Sequence, residues 1–414
     1  MYGIGGWLNL LSPRGLRGVQ AGVSRNVLLL GLTSLFTDIS SEMVVSVLPI
    51  YLVTFLRLSP VQFGLIDGLY QGVAALVQLA SGVIADRWSR YKEVAWAGYA
   101  GSALSRLGLL MTTAWTGIAA ILVLDRLGKG VRTAPRDALI SLSVPKERLG
   151  TAFGVHRAMD AMGAMLGPIL AFVILTALPG AFDVVFVTSF LVALVGVAVI
   201  TLFVENRSGV REPSPQPAAT ATIWQLLATP EFRHLFLCTL VLSVMTMSDA
   251  FVYLVLQRQL NFAAGSFPLL YVLTSLGFLI LAIPAGRLAD RVGRFRVFVG
   301  GYAVLIVLYA LLIWAPPSMA VLVLVVLLLS AYYSATEGVL MALGSAVLPE
   351  SIRTTGLAVL TTATALARLA SSLAFGIVWM RFGVRPAVGL FMGGLAIAIV
   401  LAIATWPRSE RAHG

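Results

Sequence analysis

The sequence predicts an all-α membrane protein: twelve transmembrane helices in two six-helix bundles related by a parallel repeat. Three observations predict it. Of 414 residues only 11% are charged and 59% are hydrophobic, with a mean hydropathy of +0.93. A soluble domain carries roughly 25% charged residues and could not cover its surface with so few. Apolar runs of about 20 residues recur along the chain, the length a helix needs to cross a hydrocarbon core of roughly 30 Å. Last, two loop elements each return 204 residues further along.

The first 25 residues hold Arg14, Arg17 and Arg25 and lack the compact apolar core and small-residue cleavage site of a signal peptide, so they read as a cytoplasmic tail. Span 1 (26–56) carries Asp38 and Glu42, and span 2 (61–84) runs into the loop "GVIADRWSR". Span 3 (92–112) leads to span 4 (117–141), which contains the most charged stretch of the chain, and span 5 (149–178) holds "GVHRAMDAMGAM". Span 6 (181–204) closes an N-terminal bundle of 26–204. The segment 205–230, rich in Pro, Ser and Ala, is the only long polar connection and reads as a cytoplasmic linker. The second bundle covers 231–406, with spans at 231–257, 265–288, 295–315, 318–345, 352–380 and 384–406, and a tail of 407–414.

Charge separates the loops into two sets. One holds Arg87, Arg90, Lys92, Lys146, Arg148, Arg207, Arg211, Arg287, Arg291, Arg294, Arg296, Arg353, Arg408 and Arg411; the other holds little beyond Arg57, Arg258, Arg381 and Arg385. Positive loops face the cytoplasm, so both termini are expected there. The net charge of +11 is therefore a record of orientation in a lipid bilayer and gives no reason to expect a nucleic-acid partner. Cys238 stands alone, which excludes a disulfide within one chain.

The repeat is explicit. "GVIADRWSR" begins at Gly82 and "GRLADRVGR" at Gly286, while "VPKER" has Pro145 and "LPESIR" has Pro349; both pairs lie 204 residues apart. Two halves in parallel repeat joined by a cytoplasmic linker is a recurrent transporter plan.

These loops carry a resemblance to the major facilitator superfamily over essentially the whole chain. The pattern G-x-x-x-D-R-x-x-R is formed by Gly82, Asp86, Arg87 and Arg90, and again by Gly286, Asp290, Arg291 and Arg294. "GAMLGP" in span 5, with Gly163, Gly167 and Pro168, resembles the G-x-x-x-G-P element of drug/proton antiporters. Arg126 followed by Gly130 stands near the R-x-x-x-x-G pattern of proton-coupled members, with Lys129 beside the glycine as a departure. The resemblance implies two bundles rocking about a central site lined by spans 1, 4, 7 and 10. It also implies that Asp86 and Asp290 latch the cytoplasmic side. A loop carboxylate can sit at the N-terminus of a helix from the opposite half, where free N–H groups favour an anion; the helices starting near Arg353 and Gly150 are the candidates.

The stretch "LDRLGKGVRTAPRDALI" (124–140) is not a phosphate loop, because Val123 occupies the first glycine position of that motif. Nor is it a simple cytoplasmic loop. At 1.5 Å per residue, Asp125 lies about 12 Å and Lys129 about 18 Å deep. Charges there cost at least ~2.5–3.5 kcal/mol each unless they face water or a partner. Positions 125, 129, 132 and 136 share one helical stripe, which must face the protein interior, leaving Leu122 towards lipid. Partners at matching depth are Asp38 and Glu42 of span 1 and His156, Arg157 and Asp160 of span 5. The C-terminal half offers Asp249, Glu337 and Arg368.

Buried ion pairs can be mere helix glue, but so many intramembrane charges mark a pathway. A carboxylate that loses its cation when the halves rock takes up a proton. Asp38 and Glu42, with Arg126 and Lys129 as counter-charges, are the first candidates for proton coupling, followed by Asp125, Asp160 and His156. Arg126, Lys129, Arg132, Arg157, Asp249, Glu337 and Arg368 are the candidate walls of a substrate cavity.

His156, Met159, Met162 and Met165 form a soft-ligand set suited to Cu(I). A spacing of three drifts by about 60° per step around a helix, so they do not converge on one ion, and no metal site or cofactor is expected. With three histidines and no nucleophile or cofactor motif, an enzyme is disfavoured. The expectation is a monomeric secondary transporter in the bacterial cytoplasmic (inner) membrane, exporting a small molecule against protons. Uptake of an anionic solute or a metal chelate, and a non-transporting receptor on the same fold, are the alternatives.

Overall fold

The computed structural model describes residues 24–88, 90–145, 148–206, 226, 228–348 and 352–406; for 78–88 and 354 it describes the backbone alone. The N-terminal tail, most of the linker, Lys146, Pro349 and the final residues lie outside the described residues. Among the described residues every regular element is helical.

Helix α1 (Arg25–Ile50) is capped by the Ser24 hydroxyl, which accepts from the Val27 N–H. Pro49 removes a rung near its end, and a π turn, Tyr51–Phe55, follows. Next come α2 (Pro60–Trp88), α3 (Tyr91–Met111), α4 (Trp115–Leu142), α5 (Leu149–Ala177) and α6 (Phe182–Leu202). The second half holds α7 (Pro230–Leu260), α8 (Phe267–Val292), α9 (Arg294–Trp314), α10 (Met319–Val347), α11 (Arg353–Phe382) and α12 (Val384–Thr405).

Among the described residues nine helices are long and apolar enough to cross a membrane: α1 and α5 to α12. The remaining three, α2, α3 and α4, fall outside that measure and carry Asp67, Arg106 and the charged stretch from Asp125 to Asp137. Large apolar side chains such as Leu104, Leu279, Ile280 and Val400 are exposed on the outside of the bundle, the surface a bilayer covers. Leu122 is not among them. It is 1% exposed and packed in the core, a correction to its expected lipid position; Leu124, 48% exposed, is the outward residue of that turn.

Helix α7 breaks. Its pieces Pro230–Val244 and Asp249–Leu260 are separated by Met245–Ser248, where nothing in the sequence forecast an interruption. Non-helical backbone at membrane depth survives only where protein satisfies it. Here the Met247 N–H donates to the Tyr309 hydroxyl at 2.7 Å, and the Ser371 hydroxyl donates to the Thr246 carbonyl at 2.6 Å. Ser248 then caps the second piece by accepting from the Phe251 N–H.

Within the first half α1 packs on α5 and α6, and α4 on α2 and α3; within the second α10 packs on α8 and α9. The halves meet through α2 with α11 and α5 with α8. The α2–α11 seam is a close backbone approach. A Cβ on Gly64 would lie 2.5 Å from the Ser372 carbonyl oxygen, one on Gly68 2.8 Å from that of Leu369, and one on Gly376 against that of Pro60. Gly265, just before α8, likewise abuts the Leu175 carbonyl near the end of α5. All these contacts lie at the end of the molecule where α2 begins and α11 ends. Towards the other end, Gly154 of α5 and Gly286 of α8 have open space where a side chain would be. The halves are thus in close contact along the α2–α11 seam.

Candidate functional site

Two small-residue contacts assemble the charges of the first half. Helices α3 and α4 touch at Gly98 and Gly128, where a Cβ on either would lie within 2.7 Å of the other's carbonyl oxygen. That approach brings Arg106 of α3 beside Asp125 of α4. Asp125 is clamped: Arg106 Nη2 lies 2.8 Å from Oδ1, and Arg126 donates to Oδ2 from Nη2 at 2.6 Å and Nε at 3.1 Å. The Arg106, Asp125 and Arg126 side chains are all at most 5% exposed. The Arg126 guanidinium also stacks on the Tyr70 ring, 3.8 Å from its centroid.

The second contact is the G-x-x-x-G-P element. A Cβ on Gly163 would lie 2.9 Å from the Asp38 Cβ, and one on Gly167 2.8 Å from the Glu42 Cβ. The element thus seats α5 directly behind the acidic pair of α1. Asp38 faces Arg132 at a loose 3.6 Å, and Arg132 donates to Ser102 at 3.0 Å. Glu42 and Lys129 each make neither an ion pair nor a side-chain hydrogen bond among the described residues, although Lys129 is the cation that acts most strongly on Glu42.

The expectation that Arg126 is the counter-charge of Asp38 and Glu42 is corrected here. Its direct partner is Asp125: adjacent helical residues point about 100° apart, but the long arginine side chain folds back so that its guanidinium reaches the neighbouring carboxylate. Arg136 similarly pairs with its neighbour Asp137 at 2.8 Å. His156 and Asp160 meet one turn apart on α5 at 3.6 Å, away from the cavity described below, and Arg157 is exposed there. Met159 packs against Gly31 while Met162 is 54% exposed, so the methionines of α5 diverge.

Two adjoining chambers lie between the halves. One, about 360 Å³, is lined by Asp67, Tyr70 and Gln71 of α2, Asp249 and Tyr253 of α7, Tyr271 of α8, Tyr333 and Glu337 of α10, and Arg368 of α11. The other, about 520 Å³, is lined by Tyr70, Gln71, Arg126, Lys129, Phe298, Tyr302, Glu337 and Arg368. Arg126, Lys129, Asp249, Glu337 and Arg368 thus come together on one central space. Arg132 lies behind it, and Arg157, His156 and Asp160 are not brought to it.

Sequence reading missed Asp67, Arg106 and the tyrosines. Asp67 accepts from the Ser372 hydroxyl of the opposite half at 2.7 Å and from the Gln71 amide at 3.1 Å. "GLIDGLYQG" carried the signal, a carboxylate and an amide one turn apart in a glycine-rich span, as "SALSRLG" did for Arg106.

The loop motifs fall partly outside the described side chains. Gly82, Asp86 and Arg87 have a described backbone only, within α2. Arg90 is exposed at the start of α3. Asp290, 69% exposed, pairs with Arg294 of its own loop at 3.4 Å, and Arg291 is exposed in the last turn of α8. In this conformation Asp290 makes no ion pair with the opposite half among the described residues.

Lys129 faces the larger chamber, which gives an accessibility prediction. Lys129→Cys, in a chain also carrying Cys238→Ser, reacts with a membrane-impermeant thiol reagent, while Leu124→Cys in the same background stays protected by lipid. Inertness of position 129 from both sides of the membrane, with transport intact, would show its lysine to be structural.

Comparison with known proteins agrees with this architecture. Residues 30–372 match the sequence model of the Major Facilitator Superfamily. The chain is 31% identical over 390 residues to an uncharacterized MFS-type transporter of Methanocaldococcus jannaschii, covering 91% of this chain and 93% of that protein. Among solved structures, the nucleoside transporter NupG superposes with a TM-score of 0.78 at 13% identity, covering 92% of this chain and 98% of that one. A bacterial homologue of the human lysosomal transporter Spinster, in an inward-facing and occupied conformation, gives 0.72 at 14% identity, with 91% and 95% coverage. At such identities these structures speak for the fold alone.

Proposed function

The chain belongs to the major facilitator superfamily, a family of transporters, and from there we propose proton-coupled export of a small molecule by alternating access as its function. The observation that supports it is the state of the α1 carboxylates. Asp38 holds its arginine at only 3.6 Å and Glu42 holds no cation directly, yet both lie at membrane depth beside Lys129. Rocking of one half against the other changes these distances, and a carboxylate whose cation recedes takes up a proton. Asp125, gripped by two arginines, is a charge clamp in this scheme and not a carrier. His156 and Asp160 form a secondary pair on α5.

We take α2, α3 and α4 as spans too, giving twelve. They divide as two bundles, 26–204 and 231–406, joined by the linker 205–230, with both termini cytoplasmic. On that orientation the seam of α2 and α11 is the outer gate, shut here, and the opposite end faces the cytoplasm. The protein acts as a monomer in a prokaryotic cytoplasmic membrane. Export rests on the Gly163–Gly167–Pro168 element. Uptake of a solute with an anionic group is the second reading, favoured by Lys129 and Arg368 facing one chamber with no ion pair among the described residues.

Flux in oriented vesicles tests the proposal. Under export, a proton gradient acid inside drives accumulation in inside-out vesicles, and Asp38→Asn or Glu42→Gln removes the response to the gradient. Accumulation driven instead by a gradient acid outside, in right-side-out vesicles, is symport and selects the uptake reading. Flux indifferent to the gradient leaves a uniporter.

The loop aspartates are proposed as latches that engage when the cytoplasmic end closes. Asp290 is released in the present state, so Asp290→Asn should leave the melting temperature unchanged and slow transport about ten-fold or more, the equivalent of ~1.4 kcal/mol. Asp86→Asn is expected to act alike. Wild-type flux in both variants at matched expression would remove the latch.

A further inference from the structure

The two chambers share a wall but differ in sign. Glu337 and Arg368 line both, so one charge of each kind is common to them. What belongs to one chamber alone is different. The smaller has two acids, Asp67 and Asp249; the larger has two cations, Arg126 and Lys129.

Direct pairing within the protein does not cancel this separation. Asp67 is held by a hydroxyl and an amide, neither of which carries charge. Asp249 sits in the first turn of the second piece of α7, where its carboxylate accepts from the Ala250 N–H and, among the described residues, meets no cation within ion-pair distance. Beside these acids, Tyr253 and Tyr271 pack edge to face with centroids 4.8 Å apart. Carboxylates with aromatic rings are the surroundings that hold an organic cation, through charge and through the ring faces. In the larger chamber Arg126 is paired with Asp125, a carboxylate it shares with Arg106, whereas Lys129 and Arg368 form no ion pair among the described residues. They come from opposite halves, on α4 and α11, and offer an ammonium and a guanidinium to an anionic oxygen group.

We propose that the transported molecule is amphoteric: an organic solute whose cationic nitrogen lies in the chamber of Asp67 and Asp249 and whose anionic group is held between Lys129 and Arg368. Binding such a molecule gives Asp67 and Asp249 a shared cation and Lys129 and Arg368 a shared anion. It also ties the two halves together through the ligand, because each end touches both. The inference deepens the transporter reading and rests on it for the word transported, whereas binding itself does not depend on proton coupling.

The test is a binding measurement on the detergent-purified full chain with no gradient imposed. Thermal shifts are recorded with matched triplets, each an amphoteric compound, its deaminated acid and its decarboxylated or dephosphonylated amine. Phenylalanine, 3-phenylpropionate and phenethylamine form one; tryptophan, aromatic dipeptides and aminophosphonates supply others. For at least one body the amphoteric member should bind about ten-fold or more tightly than either partner, each lost charge removing a charge-assisted contact. Lys129→Gln should erase the preference over the amine, and Asp249→Asn the preference over the acid. Singly charged members binding as well as amphoteric ones, or no shift from any amphoteric member, overturns the proposal. So does discrimination that survives both substitutions. The wild-type triplets decide the matter even if a variant fails to fold. Amphoteric binding together with gradient-indifferent flux would discard proton coupling and keep this site; gradient-driven flux of simple amines or acids would do the reverse.

Discussion

Replacing Asp125 with asparagine is expected to leave little folded protein. The carboxylate lies between Arg106 at 2.8 Å and Arg126 at 2.6 Å, and its side chain is 1% exposed. Asparagine fills the space but leaves two buried guanidiniums without a counter-charge. Removing one partner of a buried ion pair costs about 3–5 kcal/mol, a large share of a net stability of ~5–15 kcal/mol. Yield and melting temperature in detergent should fall sharply for Asp125→Asn, and Arg106→Met added to it should recover part of the loss by removing one stranded charge. Asp38→Asn should barely move the melting point, since that pair is longer and Asp38 is 20% exposed. An Asp125→Asn protein that melts with the wild type would mean that water reaches the clamp.

The other large effect is expected at the seam. Gly64→Val puts a branched side chain where even a Cβ would lie 2.5 Å from the Ser372 carbonyl oxygen. Backbone cannot yield as a flexible side chain does, so α2 and α11 must part. The halves would then be held open at the seam end, and the cycle would lose the state seen here. Transport should drop about ten-fold or more, a ~1.4 kcal/mol bias against closure being enough. Lys129→Cys in this background should become reactive from the seam side. Gly393→Val, on α12 where nothing lies within 4 Å, is the control and should transport normally. Normal flux in Gly64→Val would show that the seam does not need to close.

The cost of charge in hydrocarbon made much of the site legible. Asp38, Glu42, Asp125, Arg126, Lys129 and Arg132 stand out because an apolar span has no reason to hold them, and their depths can be counted along a helix. Pairing was not legible. Whether Arg126 meets Glu42 or its own neighbour Asp125 depends on the rotation of α4, which packing against α3 at Gly98 and Gly128 sets. Asp67 and Arg106 escaped because a single charge in a span looks tolerable until its partner on another helix is known. The break in α7 escaped because "LSVMTMSDA" contains neither glycine nor proline; hydroxyls from α9 and α11 stabilise it.

That last dependence carries over to how the protein is made. The two pieces of α7, 15 and 12 residues, are each too short to cross a bilayer, since about 20 are needed. The segment must therefore enter the membrane as one unit of 31 residues. While it does so, the groups that satisfy its open rungs, Tyr309 and Ser371, have not yet been synthesised. Exposed to lipid, an unsatisfied amide costs several kcal/mol, so the nascent segment is expected to insert as an unbroken helix. The interruption is then expected to form later, when α9 and then α11 bring Tyr309 and Ser371 beside it. The place of Asp249 at a helix start is thus a late product of assembly, and a ribosome-stalled chain ending before Ser371 should still carry α7 whole.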